Sequence, residues 1–427
     1  MTLTSSTMLP HSAHSPDRRD LLRLGALITS GAWGATSAGV WAQTADAGSS
    51  PGRLVVVFLR GAYDGLSALV PYADHHYYTL RPHIAIPAPG SATDCVLPLD
   101  GTFGLHPALA PLLPFWQQGV LAAIPCAGSP DPTRSHFEAQ HHWETGIPGK
   151  SSAAPGWLNT LASQRQVGAI GVGESNPLIL AGPHAVQRVP NGQAATRQGA
   201  LGNDRTRDAV MQLYGGEDAI SQAFRAGARS RVETAQMLQA APSDSMQEMV
   251  AADNGAGSTK GLPQDAQNLS TLMRQNPRLQ IGFLSAGGWD THANQGAATG
   301  PLANNFANLA KALVVLRKEF SRPRDIVLVV SEFGRTSAEN GTRGTDHGHG
   351  NTLWLLGSKV LGGRWHGRWD GLAPQKLNQG RDLPVHHDFR SVLAQVIGGT
   401  YGHSGAALSR LFPGYPHDTA LDALMRA

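Results

Sequence analysis

The chain has 427 residues, of which 41% are hydrophobic and 15% are charged, and its net charge is +3 with the histidines neutral. This balance is typical of a folded globular chain and excludes a largely disordered one. Beyond the N-terminal segment no run of Lys or Arg indicates nucleic-acid binding, so we expect a small-molecule or polymeric substrate and no nucleic acid. Cys95 and Cys126 are too few for a cysteine metal cage, and they either form one bridge or remain two buried thiols.

The N-terminal segment has the layout of an export signal. Arg18 and Arg19 precede a weakly apolar stretch rich in Gly, Ala and Ser, which ends in a cleavage-site pattern at Ala42. Paired arginines resemble the twin-arginine signal, and the stretch is too short and too mildly apolar for a stable membrane span. We therefore expect a twin-arginine signal peptide over 1–42, a linker over 43–52, the twin-arginine machinery as a partner, and a periplasmic or secreted mature protein. An ordinary secretory signal is the alternative.

Apolar runs of strand length alternate with helical patterns along the rest of the chain. The runs cover 53–60, 120–125, 279–284, 326–330 and 352–356, and the helical patterns cover 108–117, 267–273, 304–320 and 389–397. This alternation predicts one α/β domain over 53–427, with a central, mostly parallel sheet sandwiched by helices. Residues 192–261 are rich in Ala, Gln, Ser, Asp and Gly, which predicts a mostly helical insertion.

Polar side chains stand next to each of these apolar runs. In open α/β sheets ligands bind beyond the carboxyl ends of the strands, so these residues are the candidates for a site. The candidates are Asp64 after the first run, Thr133, Arg134 and Ser135 after the second, Asp290 and His292 after the third, Glu332 and Arg335 after the fourth, and Asp346, His347 and His349 before the fifth.

The acidic and imidazole members of this set predict a site for a divalent cation. Cations bind carboxylate oxygens and imidazole nitrogens that converge from several segments, and a catalytic site keeps one coordination position open. Asp290 and His292 are two residues apart, as are His347 and His349, and that spacing places both side chains of a pair on one side of an extended loop. The candidate ligands are Asp64, Asp290, His292, Glu332, Asp346, His347 and His349, and the cation is zinc, manganese, calcium or magnesium.

Each candidate also has a purely structural alternative. Asp290 is a favoured residue type for capping a following helix. The loop 346–351 fits a Gly-rich turn whose histidines bond backbone carbonyls, and Glu332 with Arg335 fits a simple ion pair.

Ser135 has a structural and a functional interpretation, and the two are compatible. With Glu138 three residues later it forms a capping box, which begins a helix. A hydroxyl at a helix N-terminus also gains from the local positive field, which suits a nucleophile.

Five segments together resemble a known family. The segments are 54–65, 128–140, 288–294, 331–336 and 345–351, and they include Gly288-Trp289-Asp290-Thr291-His292 and Thr345-Asp346-His347-Gly348-His349. Taken jointly they are similar to the domain-of-unknown-function 1501 family over nearly the whole mature chain. Members of that family are bacterial, commonly carry twin-arginine signals and have no established reaction.

That family in turn resembles remote relatives of the alkaline phosphatase and sulfatase superfamily. The resemblance implies an alkaline phosphatase-like fold and a hydrolytic site with one or two metals. It implies Ser135 as the nucleophile, with Thr133 as its rival, and Asp290, His292 and His347 or His349 as metal ligands.

This sequence departs from the superfamily pattern at three places. Phe333 follows Glu332 where a His is expected, Asp64 is displaced by three residues from the first strand, and the interval from Asp290 to His292 is short. These departures leave open a one-metal enzyme, altered chemistry or a degenerate site.

The leading hypothesis is therefore a metal-dependent hydrolase of phosphate or sulfate esters, in which Arg134 or Arg335 clamps the anionic oxygens. The main alternative is a non-catalytic envelope protein that uses the cleft to bind a ligand. A polysaccharide-processing enzyme with paired carboxylates fits less well, because the acidic residues occur together with histidines.

Overall fold

The computed structural model describes residues 52–90, 92–149, 154–173, 177–191, 216, 221–222 and 252–426. The predicted signal peptide, the linker up to residue 51 and most of the predicted insertion over 192–261 lie outside the described residues. Within the described part of the chain, the search for a helix with the length and apolar character to cross a bilayer finds none.

The sheets are built from thirteen strands in the described residues. Ten belong to the central sheet: β1 (Leu54–Leu59), β5 (Leu121–Gly128), β6 (Gly168–Gly173), β7 (Gln187–Pro190), β8 (Gly257–Ser258), β9 (Leu279–Gly287), β10 (Ile326–Val330), β11 (Asn351–Gly357), β12 (Arg364–Trp365) and β13 (His387–Asp388). A small antiparallel sheet contains β2 (Leu69–Val70), β3 (Leu97–Pro98) and β4 (Gly104–Leu105).

The central sheet is mostly parallel, with the order β12-β5-β11-β10-β1-β9-β6-β7. The strand β8 pairs with β9, and β13 pairs with β5. Only β11 runs against its neighbours β10 and β5 in the described sheet. Because β11 is reversed, its N-terminal end lies at the same edge as the C-terminal ends of β1, β5, β9 and β10.

Nine α-helices are described: α1 (Gly65–Ala68), α2 (His75–Leu80), α3 (Leu113–Gln117), α4 (His136–Thr145), α5 (Trp157–Arg165), α6 (Leu262–Gln275), α7 (Pro301–Glu319), α8 (Phe389–Tyr401) and α9 (Ala406–Leu411). Since side chains alternate across a strand, β1 feeds two separate cores. Val55 and Val57 pack in one core with α6 and α7, whereas Val56 and Phe58 pack in the other with α5 and α8. Helices therefore cover both faces of the sheet.

The predicted fold class is confirmed, because a mostly parallel central sheet is flanked by helices on both faces. The five predicted strands are present as β1, β5, β9, β10 and β11. The strands β6 and β7 were not predicted, and the predicted helix over 108–117 begins as a 3₁₀ helix, Pro107–Leu112, before α3. The last part of the predicted insertion is described, and it forms β8 and a 3₁₀ turn at Thr259–Gly261.

Candidate metal centre

The loops at one edge of the central sheet bring together side chains that are far apart in the sequence. The strands β10, β1 and β9 are neighbours, so the segments that follow them meet directly. The loop before β11 is tied to the loop after β10 by backbone hydrogen bonds, one from Gly334 N to His349 O at 2.9 Å and one from Gly348 N to Gly334 O at 2.8 Å. The segment after β5 ends in α4, which begins at His136 with Ser135 as its N-cap.

Ligand atoms of His136, Asp290 and His347 lie within 4.8 Å of one another at this edge, and His292 contacts two of the three. The Nε2 atom of His347 lies 3.0 Å from the Nε2 atoms of both His136 and His292. Asp290 Oδ1 lies 2.9 Å from His292 Nε2 and 3.3 Å from His347 Nε2, and Asp290 Oδ2 lies 3.7 Å from His136 Nε2. These four side chains, His136, Asp290, His292 and His347, are called the HDHH cluster below.

The other ring nitrogen of each imidazole faces an oxygen atom. His136 Nδ1 lies 2.7 Å from Glu332 Oε1, His347 Nδ1 lies 2.9 Å from Arg134 O, and His292 Nδ1 lies 3.3 Å from Asp346 Oδ1. Since the oxygen acceptor holds a proton on each Nδ1, each Nε2 either carries a second proton that is donated within the cluster or gives its lone pair to a cation. Histidines that bind metals are oriented in this way, with the second nitrogen donating to a carboxylate or a carbonyl.

The charges of the cluster favour an ionised carboxylate beside the imidazoles. Burial alone would raise the pKa of Asp290, but hydrogen bonds from His136 and His347 and the charge of Arg335 hold it well below its usual range. Burial alone would lower the pKa of His136, but the hydrogen bonds and charges of Asp290 and Glu332 raise it to about 9. Positive charge is therefore stabilised at this point, whether it comes from a proton or from a cation.

Glu332 contacts the Nδ1 side of His136, and its carboxylate is not one of the groups that meet in the HDHH cluster. Its Oε1 accepts from His136 Nδ1, from Gly61 N at 2.8 Å and from Gln140 Nε2 at 3.0 Å, and its Oε2 accepts from Ser331 Oγ at 2.9 Å. Burial would raise the pKa of Glu332, but these hydrogen bonds and the charge of His136 lower it to about 2. Glu332, a predicted ligand, thus lies outside the HDHH cluster, where its Oε1 atom accepts from His136 Nδ1.

Replacing Glu332 with Gln should weaken cation binding about 10–100-fold without removing it, because the oxygen that faces His136 is kept while the negative charge is lost. Calorimetric titration of metal-free protein with zinc measures the change. Gln140→Leu serves as a companion, since it removes a neighbour of Glu332 that does not touch an imidazole, and it should have a smaller effect. Equal zinc affinity for Glu332→Gln and wild type would contradict this role.

Asp64 does not join the cluster, because both of its oxygens have other partners. Arg81 donates to Oδ2 at 2.6 Å and to Oδ1 at 3.0 Å, and Ser67 Oγ and Gln295 Nε2 each donate to Oδ2 at 2.7 Å. Burial would raise the pKa of Asp64, but the charge and hydrogen bonds of Arg81 hold it below its ordinary value. The predicted metal ligand is instead half of a buried ion pair.

Two further predicted ligands, His349 and Asp346, are not part of the HDHH cluster. His349 Nε2 lies 2.9 Å from Ser129 O. This side chain therefore bonds a backbone carbonyl, which is the structural role that the sequence offered as the alternative to a ligand. Asp346 lies behind His292, facing its Nδ1 atom, and also accepts from Asn340 Nδ2 at 3.0 Å. Asp346 thus orients a candidate ligand, and His349 joins two loops.

The guanidinium of Arg335 is hydrogen-bonded within the protein and is not accessible to a substrate. Its guanidinium donates to the carbonyl oxygens of Gly61, Ala62, Trp289 and Thr345 and to Asp290 Oδ1. It ties together the loops after β1, β9 and β10 and fixes the carboxylate of the cluster.

Arg134 remains half-exposed beside the cluster. Its Nη2 donates to Asp382 Oδ2 at 3.0 Å and to Gln379 Oε1 at 3.3 Å, and 31% of its side chain is exposed. Of the two predicted anion clamps, only Arg134 is open to a substrate.

The two candidate nucleophiles lie on the turn that leads into α4. Ser135 is exposed, and its Oγ accepts from Glu138 N at 3.4 Å, which completes the predicted cap. Thr133 Oγ1 donates to Glu138 Oε2 at 2.6 Å. Both hydroxyls therefore stand within three residues of His136, and only Thr133 touches a carboxylate that can accept its proton.

The sequence analysis did not select His136. Like Ser135, it is a polar residue that follows the second apolar run, so the same criterion could have selected it. His136 is the first residue of α4, and the residues one and two turns later continue on the same face. Gln140 bonds Glu332, and Glu144 bonds Arg60 at 2.8 Å. Phe333 packs its ring 4.9 Å from that of His136 and 5.1 Å from that of His347. It forms an apolar wall that helps to fix both rings.

A second group of potential ligand atoms lies at Asp74, His75 and His76. Asp74 is the N-cap of α2, and its Oδ1 accepts from His76 N at 2.9 Å while its Oδ2 accepts from Leu372 N at 2.7 Å. Both oxygens are thus used in local structure, which makes this group a helix cap.

Comparison with known proteins gives a family and several distant structures. The family model described as "Protein of unknown function (DUF1501)" matches residues 122–412. A search of curated proteins finds no match. Matching solved structures include an alkaline phosphatase from the Antarctic bacterium TAB5 (12% identity, TM-score 0.35, covering 74% of this chain and 95% of that one). They also include the C-terminal periplasmic domain of EcEptC from Escherichia coli (10%, 0.33, 73% and 74%) and the PsFucS1 sulfatase from Pseudoalteromonas sp. (9%, 0.37, 82% and 68%).

Proposed function

The chain belongs to the DUF1501 family, and from the geometry of its HDHH cluster we propose that it is a metal-dependent hydrolase of phosphate or sulfate esters. The observation that carries the proposal is the convergence of three imidazole Nε2 atoms on one carboxylate, each imidazole with its Nδ1 facing an oxygen. Without a metal ion, protons shared among these nitrogens and Asp290 hold the cluster together, and a divalent cation would replace those protons and bind the same donor atoms.

The donor set narrows the choice of cation. Calcium and magnesium prefer oxygen ligands, whereas zinc and manganese accept imidazole nitrogen together with carboxylate oxygen. With His136, His292, His347 and Asp290 as ligands, we propose zinc or manganese. A cation held there would polarise the ester oxygens and, through its charge, lower the pKa of a nearby hydroxyl.

The surrounding side chains supply positioning and a nucleophile. Ser135 is the proposed nucleophile, with Thr133 as its rival. The hydroxyl loses its proton to solvent and its oxygen forms a bond to phosphorus or sulfur, while the bond to the alcohol oxygen breaks and the alcohol leaves after it takes up a proton. Water then forms a bond to the phosphorus or sulfur, the bond to the side-chain oxygen breaks, and phosphate or sulfate is released with the hydroxyl restored. Arg134, half-exposed at the same loop, is the proposed partner for the anionic oxygens. Arg335 holds Asp290 in place and Glu332 holds His136.

Export by the twin-arginine pathway belongs to the same proposal. It is supported by Arg18, Arg19 and the cleavage-site pattern that ends at Ala42. A protein that crosses the membrane already folded can acquire its cation before export.

The proposal is tested with a panel of phosphate and sulfate monoesters and diesters, assayed with added zinc, manganese, calcium or magnesium. We expect turnover of at least one ester class with zinc or manganese and none in the presence of a chelator. A stoichiometric cation without turnover of any ester would support the alternative, a non-catalytic envelope binding protein. A protein that takes up no cation would contradict both the centre and the reaction.

The nucleophile is identified by comparing Ser135→Ala with Thr133→Val. We expect the variant that lacks the nucleophile to lose about 10³-fold or more in kcat, and the other to change by less than about tenfold. Cation content is measured in parallel, since neither hydroxyl is a proposed ligand and both variants should keep a full complement. If both variants match wild type on every hydrolysed ester, neither hydroxyl is the nucleophile.

A further inference from the structure

A cavity of about 260 Å³ lies beside the HDHH cluster. Asp346 and Asn340 line it, and both also contact a member of the cluster: Asp346 faces His292 Nδ1, and Asn340 Nδ2 donates to His292 O at 2.9 Å. One layer of side chains therefore separates this cavity from the proposed cation ligands. It is called the Arg381 cavity below, after the arginine in its wall.

The open side of the cluster faces this cavity. The exposed fraction of the side chain rises from 14% for His136 and 24% for His347 to 44% for His292 and 51% for Asp346. A substrate whose anionic group lies at the cluster, next to Ser135 and Arg134, can extend past His292 and Asp346 through this open side, since Phe333 and Glu332 lie on the inner side of His136. The rest of the substrate then lies next to the Arg381 cavity.

The cavity wall combines an aliphatic surface with polar groups. Leu80, Ala338 and Leu377 supply the aliphatic part. Two of the polar groups are satisfied internally: Glu339 accepts from the backbone of His83 and Ile84, and Asn340 Oδ1 accepts from backbone N–H groups of its own loop. These groups stabilise the wall and do not select a ligand.

Two groups in the wall keep hydrogen-bonding capacity among the described residues. Asp346 uses Oδ1 for Asn340 and His292, which leaves Oδ2 for a donor. The side chain of Arg381 is 39% exposed, and its ion-pair contact, from Nη1 to Asp382 Oδ2, is long at 3.8 Å. The cavity thus offers one pure acceptor and one pure donor above an aliphatic surface.

We propose that the Arg381 cavity binds the alcohol part of the ester, and that this alcohol is a single polyhydroxylated ring of the sugar type. Neighbouring hydroxyls both donate and accept, so one ring can donate to Asp346 and accept from Arg381 at once, while its C–H face covers Leu80 and Leu377. A simple alkyl or aryl alcohol has no hydroxyls left to bond Asp346 Oδ2 and the Arg381 guanidinium. The cavity is below the roughly 300–1,000 Å³ of pockets for drug-sized ligands, which fits one ring. This inference rests on the proposed function.

The test uses the full-length chain loaded with its cation and three phosphate esters, each with its sulfate counterpart. D-glucose 6-phosphate and cyclohexylmethyl phosphate have rings of the same size on the same linkage, with and without hydroxyls, and methyl phosphate has no ring. The variants are Arg381→Gln, which removes the donor, and Ala338→Trp, which fills the cavity. Arg278→Gln is the matched control, since Arg278 is exposed at the start of β9, at the opposite edge of the sheet.

We expect wild type and Arg278→Gln to have a KM for the glucose ester about tenfold below that for the cyclohexylmethyl ester, and Arg381→Gln to abolish this preference. Ala338→Trp should raise the KM of both ring esters by about tenfold or more and leave methyl phosphate unchanged. If wild type hydrolyses no ester, the proposed function is wrong, but the inference about the Arg381 cavity is not yet decided. Calorimetric binding of D-glucose 6-phosphate to the same four proteins would then decide the inference. Unchanged affinity for the glucose ester in both cavity variants overturns it, as does equal preference for the two ring esters in wild type.

Discussion

Replacing His136 with Ala should remove the bound cation and, with it, all ester hydrolysis. His136 Nε2 lies 3.0 Å from His347 Nε2, and its ring is held by Glu332, so the loss of this imidazole removes one of four converging donors. Since the loss of an outer partner alone costs 10–100-fold in affinity, we expect the loss of a direct ligand to cost more than about 100-fold. Elemental analysis of dialysed protein and calorimetric titration with zinc measure the effect.

His349→Ala is the matched control for this experiment. It also removes an imidazole from the same edge of the sheet, only two residues from His347, but His349 faces the carbonyl of Ser129 and not the cluster. This variant should keep a full complement of cation, with at most a modest loss of stability. If His136→Ala keeps its cation while His349→Ala loses it, the proposed ligand set is wrong.

Replacing Asp64 with Ala should lower the free energy of unfolding by about 3–5 kcal/mol, because it leaves Arg81 as an unpaired charge in the interior. Asp64 and Arg81 are both almost completely buried and are joined by two short hydrogen bonds. Denaturant unfolding of the wild type and the variant gives the difference. The folded variant should still bind the cation stoichiometrically, which distinguishes this role from a ligand role.

The ion pair of Asp64 and Arg81 makes the free energy of unfolding depend on pH, with a sign that follows from the lowered pKa of Asp64. The pKa of Asp64 in the folded protein is below its ordinary value of 3.8, so its ionised form contributes stability that is fully present above about pH 4. That contribution is lost as the pH falls toward the lowered pKa. The difference in unfolding free energy between wild type and Asp64→Asn should therefore shrink below about pH 4, and a difference that stays constant in acid would contradict the ion pair.

A double-mutant cycle separates the pair from its surroundings. Arg81→Met alone leaves Asp64 unpaired, whereas Asp64→Leu with Arg81→Met removes both charges and should cost less than the sum of the single changes. Additive effects would mean that the two charges do not stabilise each other.

The sheet was predictable from the sequence because its central strands are continuous apolar runs. β1 and β10 are buried on both faces, and such runs are typical of parallel strands. β6 escaped prediction because its sequence, Gly-Ala-Ile-Gly-Val-Gly, is half glycine and gives little apolar signal. β7 has four residues and a Pro, and it lies at the end of the sheet.

The edge at which the site forms was also predictable, but not the role of each side chain there. Asp290, His292 and His347 converge as the spacing of strand ends predicted. Asp64 and Glu332 lie in the same region, yet their partners are Arg81 and His136. Whether a buried carboxylate faces a cation, an arginine or an imidazole depends on contacts between loops distant in sequence, and these are not encoded in local patterns.

The two cysteines bear on the conditions under which this chain reaches its native state. Cys95 and Cys126 are both buried and unbridged. No covalent cross-link between them holds the chain, so maturation requires no oxidant, and the thiols are shielded from exchange with small disulfides while the core is closed. The same native state is thus accessible in a reducing cytoplasm and in an oxidising exterior.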